Sequence, residues 1–455
     1  MKRNSIRRPG AAGARAAGAA FLLAASLLAH GASRPNVLLI YTDDQGSGDL
    51  HCYGAKDLVT PNADALAASG IRFTQFYSAA PVCSPSRAAL LTGRYPQRAG
   101  VPGNVSSMAG HAGMPGSQLT LAELLHDAGY FTAHVGKWHL GYTRDTMPNA
   151  QGFDHSFGHM GGCIDNYSHF FYWSGPNRHD LHRNGIEVFA PGRYFPDLMV
   201  EEINRLLEQR PPDRPFFIYW ALNVPHYPYQ GDAKWYRYYE HRLPCPRNLY
   251  AAFVSTLDER IGRVLRRLEA LGLREDTIVI YQSDNGHSVE ERAHRGGGSA
   301  GPYRGHKFSL FEGGIRLPAI ISWPGHLPAG EVRDQLATAC DWLPTVLDLC
   351  GVPLPPRRLD GVSLRPLLES SAAPPAHRVF HWQSGGSRAK PQWAVREGPW
   401  KLVVHGVGAG PDEQIFLGNL DQDVSERRNL AAAHPDIVQR LRRLHDAWLN
   451  EVKKQ

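Results

Sequence analysis

Cysteines and histidines in this chain never fall into the spacing of a zinc site. Beyond the first thirty or so residues, no apolar run is long enough to span a bilayer, so no membrane span is expected in the mature chain. No internal repeat stands out, which removes stacked-repeat architectures from consideration. An excess of one charge sign is nearly missing too. The formal net charge is +6, but Lys2, Arg3, Arg7, Arg8 and Arg15 precede an apolar run from Ala16 to Leu28 and the small-residue segment Ala29-His30-Gly31. Residues 1–31 therefore read as a secretory signal peptide, and their removal leaves a net charge of about +1. A chain so nearly neutral gives no electrostatic reason to expect nucleic acid as a partner. It is expected to be exported, to the periplasm or beyond. Export permits disulfides, but a domain this large does not need them. Cys340 and Cys350, the nearest of six cysteines, are not expected to bridge, because both fall around one apolar helix near Trp342 to Leu349.

With 455 residues, 42% of them hydrophobic, the chain can build one large core and a smaller domain. Four short apolar runs read as buried strands: 36–41, 130–135, 216–221 and 277–281. Continuous apolar runs suit parallel strands covered on both faces. Helical patterns fall between them at 63–68, 119–128, 197–209 and 248–271. The alternation predicts an α/β sandwich with a large, mostly parallel sheet flanked by helices. After a linker at 370–375 the texture changes. Short strands at 379–383, 392–396, 401–404 and 415–417, with a helix at 436–452, predict a small antiparallel sheet with one helix. The expected organisation is a signal peptide at 1–31, a catalytic domain at 32–370 and a C-terminal α+β subdomain at 371–455. Gly296 to Gly301 reads as an active-site loop.

Each apolar run ends in chemistry: Asp43-Asp44, Lys137 and His139, Asn223 and His226, and Asp284-Asn285. Ligands of open α/β sheets bind beyond the carboxyl ends of the strands, where all four clusters should lie. Adjacent carboxylates repel unless a cation sits between them. Asp43, Asp44, Asp284 and Asn285 offer hard oxygen donors, which favour calcium or magnesium over zinc. Cys83 begins the segment Cys-Ser-Pro-Ser-Arg-Ala-Ala-Leu-Leu-Thr-Gly-Arg. Ser84 and Ser86 are N-cap candidates, Pro85 suits a first turn, and Ala88 to Leu91 continues as a helix. A nucleophile at a helix start faces unpaired N–H groups and the positive dipole end, a setting for an anion such as sulfate.

The twelve residues from Cys83 to Arg94 resemble the signature of the formylglycine-dependent sulfatases, with Cys83, Pro85 and Arg87 as its core. Gly136 to Gly141, with Lys137 and His139, and Gly305 to Gly314, with Lys307, resemble further blocks of that family in order. The similarity covers roughly residues 35–350. It implies an alkaline-phosphatase-like fold, and a maturing, formylglycine-generating enzyme that oxidises Cys83 to an aldehyde whose hydrate attacks sulfur. It implies one divalent cation, most often calcium with magnesium possible, held by Asp43, Asp44, Asp284 and Asn285 against residue 83. It further implies that Arg87, Lys137 and Lys307 neutralise the sulfate, that His226 protonates the leaving alcohol, and that His139 takes a proton from the hydrate.

The substrate is less legible. Gly152-Phe153-Asp154 and Gly161 to Tyr167 look similar to regions of N-acetylgalactosamine-6-sulfatase and arylsulfatase A relatives. His155, His159, Asp165, Asn166, His287, His294, Arg295, Arg304 and His306, with Tyr167, Tyr172 and Trp173, are expected at the pocket mouth. Such a rim suits a sulfated carbohydrate, with 6-sulfated N-acetylgalactosamine or galactose as first choice. The alternatives are an arylsulfatase of broad specificity, a phosphoesterase of the same superfamily, or a sulfoglycan-binding protein that is never matured.

Overall fold

The computed structural model describes residues 34–173, 175, 177–387 and 390–452, so the expected signal peptide lies outside the described residues. Five strands run parallel through the middle of a ten-stranded sheet. In spatial order they are Thr277–Ser283, Asn36–Thr42, Phe216–Ala221, Phe131–Lys137 and His155–His159. Successive residues of these strands feed two different cores, as the two-residue period of a strand demands. Leu38, Ile40, Ile218, Trp220, Val279 and Tyr281 pack on one face with helices Phe195–Gln209 and Arg247–Ala270. Val37, Leu39, Tyr41, Phe217, Tyr219, Ile278 and Ile280 pack on the other, with helices Cys83–Thr92, Leu121–Asp127 and Trp342–Leu349.

The sheet is not parallel throughout. Ala319–Ser322 joins Thr277–Ser283 antiparallel, Ile71–Phe73 joins it antiparallel in turn, and Glu331–Arg333 closes that edge. The short strands His182–Arg183 and Ile186–Glu187 make the other edge. These edge strands have two to four residues each, too few to show a period. His155–His159 reads His-Ser-Phe-Gly-His and lacks the apolar run that marks the other central strands.

Register decides where the chemistry falls. Thr42 pairs with Ser283, Tyr41 with Ala221, and Ala221 with Gly136, so the four central strands end nearly level. The chain leaves them still paired: the Asp43 amide donates to the Val224 carbonyl at 3.1 Å and the Asp284 amide to the Thr42 carbonyl at 3.0 Å. Asp43, Asp284 and Lys137 thus stand beside one another at one edge.

The C-terminal strands Val379–Gly386, Pro391–Glu397, Trp400–Val404 and Ile415–Asn419 form an antiparallel meander against helix Pro435–Val452. Phe380, Trp382, Val403, Phe416 and Trp448 share a core with Tyr77, Tyr95, Leu310 and Phe311 of the main body. From Arg34 onward the chain makes one compact unit. The six cysteines are all free, with Cys340 and Cys350 flanking helix Trp342–Leu349.

Gly136 has a φ of 123°, and a Cβ there would lie 1.9 Å from the Ala221 carbonyl oxygen. Gly136→Ala should therefore cost on the order of 3 kcal/mol and lower Tm by several degrees. A thermal melt that matches wild type would show that the two strands can part at that point without penalty.

Candidate active site

Cys83 is the first residue of its helix, but the expected caps are not the ones used. Val82 occupies the N-cap position and bonds through no side chain. Asn104 serves instead: its Oδ1 accepts the Ser84 N–H at 3.1 Å, and Ser84 Oγ accepts the Val105 N–H at 3.1 Å. Ser86 Oγ donates to the Ala80 carbonyl at 2.8 Å, and its N–H bonds Val82. With Pro85 lacking an N–H, few free donors remain at this helix start. The helix contributes its positive dipole end and a fixed position for Cys83.

Three buried carboxylates and three buried cations surround that position. Lys137 Nζ lies 2.7 Å from Asp43 Oδ2, Lys307 Nζ 2.9 Å from Asp44 Oδ2, and Arg87 Nη2 2.9 Å from Asp284 Oδ2. Arg87 also lies 3.6 Å from Asp43 Oδ1, as does the Cys83 Sγ. Asp44 adopts a left-handed φ of 60° and its amide donates to Asp284 Oδ1 at 3.0 Å. That turn lets successive aspartates face the same point: ligand atoms of Asp43, Asp44 and Cys83 all lie within 4.8 Å of one another.

Burial opposes ionisation of Asp43, but Lys137, then His226 and Arg87, hold its carboxyl well below the usual range. Burial also works against the charge on Lys137 and Lys307, and Asp43 and Asp44 respectively keep each ammonium protonated. Burial pushes the Cys83 thiol up to about 12 against the pull of Lys137 and Lys307. An unmodified Cys83 is therefore a neutral thiol at pH 7 and a poor nucleophile.

The two histidines approach from the cleft, a space of about 270 Å³ lined by Cys83, His139, His226 and Lys307 among others. Burial and then Lys137 hold His139 well below its ordinary value, so it is neutral. Its Nε2 lies 3.2 Å from the Val105 carbonyl, and its buried Nδ1 has no partner. Nε2 is thus the protonated nitrogen, and Nδ1 is left with a free lone pair. Gly162 is needed beside it, because a Cβ there would meet the His139 ring at 2.7 Å. His226 donates from Nδ1 to the Tyr227 carbonyl at 2.7 Å and turns Nε2 toward Asp44 Oδ2 at 3.6 Å. Burial and Lys307 lower its affinity for a second proton, while Asp44 favours one.

All ten sequence-selected residues thus meet at the strand ends, each less than 10% exposed. The expected rim is a different matter. Of its members only Trp173 lines the cleft. His155 bonds Glu202 at 2.7 Å in a separate, open depression of about 560 Å³ with Arg183 and Arg205. His159 is buried against Phe195, Asn166 bonds Asn223, Arg304 pairs with Glu413, and Tyr172 bonds the Tyr227 carbonyl. The loop at Gly296 to Gly301 does not line the cleft either. Ser299 there accepts the Gly48 amide and donates its own to Asp49, bracing the turn after Asp44. The sequence reading missed Asn104 to Met108, Phe171, Glu290 and Phe308, which do line the cleft. Their loops carry no period, and only the nearby Asp-Asn-Gly pointed toward Glu290.

The donor set fits a hard divalent cation. Asn285 Nδ2 donates to Asp44 Oδ1 at 2.6 Å and to the Gly286 carbonyl, which leaves its buried Oδ1 without a partner. An orphaned buried acceptor is costly unless a cation takes it. The acids show the same need, since burial and then Asp43 push the Asp284 carboxyl up to about 7. Because that value is raised on folding, the native state keeps a proton the unfolded chain has lost. Metal-free stability from this group therefore falls as pH rises from about 4 to about 7. A cation would displace the proton. Calcium titrated calorimetrically at pH 6.5, in buffers of different ionisation enthalpy, should release a measurable fraction of a proton, and less at pH 8.5. Equal release at both pH values would sink this account.

Comparison with known proteins bears on the whole chain. The family model described as Sulfatase matches residues 35–352, and one described as N-sulphoglucosamine sulphohydrolase, C-terminal, matches residues 304–455. Arylsulfatase A of Homo sapiens is 34% identical over 450 aligned residues, covering 90% of this chain and 87% of that protein. N-acetylgalactosamine-6-sulfatase of Sus scrofa is 36% identical over 476, covering 93% and 87%. The crystal structure of Ps i-CgsB in complex with k-i-k-neocarrahexaose superposes with a TM-score of 0.82 at 29% identity, covering 91% of this chain and 92% of that one.

Proposed function

The chain belongs to the sulfatase family, and on that premise we propose that it removes sulfate from a sulfated carbohydrate through a modified Cys83. It is a sulfuric ester hydrolase. The observation that carries the proposal is the placing of the buried Cys83 Sγ 3.6 Å from Asp43, inside a network of three cations and three acids. Formylglycine at position 83 would supply a hydrated aldehyde as nucleophile, and a hard divalent cation, calcium or magnesium by its oxygen donors, would polarise the sulfate oxygens. A formylglycine-generating enzyme is the maturation partner in this proposal, and Asp43, Asp44, Asp284 and Asn285 hold the cation.

The chain's own residues then divide the work. Arg87 locks Asp284 and Asp43 in place, and Lys137 does the same for Asp43. Together with Lys307 they put positive charge where negative charge grows during transfer. His226, once protonated at Nε2, serves the leaving alcohol, and Asp44 favours that proton. His139, neutral and with Nδ1 free, accepts a proton from the group at position 83. The catalytic machinery lies within residues 32–370, with 371–455 as a C-terminal subdomain. Export, directed by residues 1–31, accords with the near-neutral mature chain. Among the described residues no helix is long and apolar enough to cross a membrane.

For substrate, 6-sulfated N-acetylgalactosamine or galactose is the first choice. Trp173 at the cleft offers a stacking face, and the relatives named N-acetylgalactosamine-6-sulfatase match 36–38% of aligned positions.

Two measurements test this. Intact mass of active protein should fall short of the unmodified chain by about 18 Da, and Cys83→Ala should fold yet lose turnover by several orders of magnitude. Substantial hydrolysis by purified Cys83→Ala would end the assignment. A panel of sulfated sugars, nitrophenyl sulfate and a phosphate monoester should give the highest kcat/KM on a 6-sulfated sugar. An aryl ester clearly ahead would favour a broad arylsulfatase, and a phosphate ahead would favour a phosphoesterase.

A further inference from the structure

Glu290 is a carboxylate that the chemistry above does not use, and it lines the same cleft. Its Oε2 accepts from Tyr227 Oη and Ser288 Oγ, each at 3.0 Å, and lies 3.3 Å from Lys307 Nζ. Three contacts thus fix one carboxylate oxygen. The other, Oε1, takes part in none of these contacts, and the side chain is 21% exposed. The cleft it lines mixes apolar side chains, Trp173, Phe171, Phe308 and Met108 among them, with polar ones such as Asn104, Ser106 and Ser107. Among the described residues lining the cleft, Lys307 is the one Lys or Arg side chain, and Asp44 and Glu290 already engage it. Two arginines beside the mouth are held by neutral partners. Arg178 bonds the Ser107 carbonyl and lies over Phe171, and Arg292 bonds the Tyr172 carbonyl and lies over Trp173.

A cleft built this way meets a sugar with one fixed negative oxygen and aromatic surface. We propose that Glu290 selects the sugar around the scissile sulfate: Oε1 accepts a hydrogen bond from a hydroxyl of a neutral ring and repels a second anionic group. The substrates are then monosulfated neutral sugars rather than disulfated or uronate-bearing ones. This inference rests on the sulfatase reading of the site. Its physics is simple, since a hydroxyl donates to a carboxylate whereas a second sulfate or carboxylate placed against Oε1 meets like charge.

The test compares galactose 6-sulfate with galactose 2,6-disulfate on matured enzyme, with the aldehyde at position 83 verified by mass. Wild type should favour the monosulfate in kcat/KM by about tenfold, as expected of a like charge met in a partly buried site. Glu290→Gln keeps the shape and the Tyr227 and Ser288 contacts, and should shrink that ratio to within about threefold. Glu290→Asp retains the charge and should keep most of the preference. A ratio unchanged in Glu290→Gln, or lost equally in Glu290→Asp, overturns the assignment. So does a wild-type preference for the disulfate. Failure of matured wild type to cleave either sugar, or any sulfate ester, would instead bring down the sulfatase reading, and this inference with it.

Discussion

Three carboxylates cannot be buried side by side without compensation, and most of the architecture around this site supplies that compensation. Asp43, Asp44 and Asp284 come from two adjacent parallel strands whose register forces them together. Each is answered by a different element: Lys137 from a third strand, Arg87 from the helix that begins at Cys83, and Lys307 from a loop far along the chain. Remove the sheet register and the acids separate. Remove the cations and they cannot stay ionised in a medium this dry. The charges are therefore a constraint on folding as well as a resource for catalysis, and no single element can satisfy them.

The loop bearing Lys307 is itself anchored by a second charged cluster. Glu312, five residues on, bonds Lys401 of the C-terminal sheet at 2.8 Å, and Lys401 lies 3.1 Å from Glu426. Tyr77 donates to the same Glu312 at 2.6 Å, and Arg316 adds a further contact at 3.2 Å. All of this is buried. The small sheet thus does more than cover an apolar face: it holds the segment that delivers one of the three cations.

Much of this was legible from residue order. Continuous apolar runs announced the four central strands, because burial on both faces leaves no room for polar alternation. The polar clusters that end those runs supplied seven of the ten residues that meet at the site, and the blocks at 83–94 and 305–314 supplied Cys83, Arg87 and Lys307. Illegible features share a physical cause, which is dependence on contacts distant in sequence. Edge strands of two to four residues exist only because a neighbour presents an open ladder. Asn104 caps a helix that starts twenty-one residues earlier, while the serines beside that start are drawn to other partners. Several of the polar residues expected at the mouth proved to be ordinary interior partners, as His155 with Glu202 and Asn166 with Asn223 illustrate. Composition identifies a polar loop, but which way it faces is decided by packing.

The reciprocal bonds between Ser84 and the Asn104–Val105 segment have an evolutionary consequence. They fasten one wall of the cleft to the helix that carries the nucleophile through two hydrogen bonds of 3.1 Å. Ser106, Ser107 and Met108 follow directly and face the cleft. The Ser106 and Met108 side chains can therefore change while the anchor behind them stays in place, whereas Ser107 Oγ is tied to the Gly162 amide at 2.9 Å and lies 3.5 Å from His139. Selection can thus retune what the mouth accepts without disturbing the bond-breaking centre. Freedom to change and attachment to the nucleophile's helix are separated here by a single peptide unit.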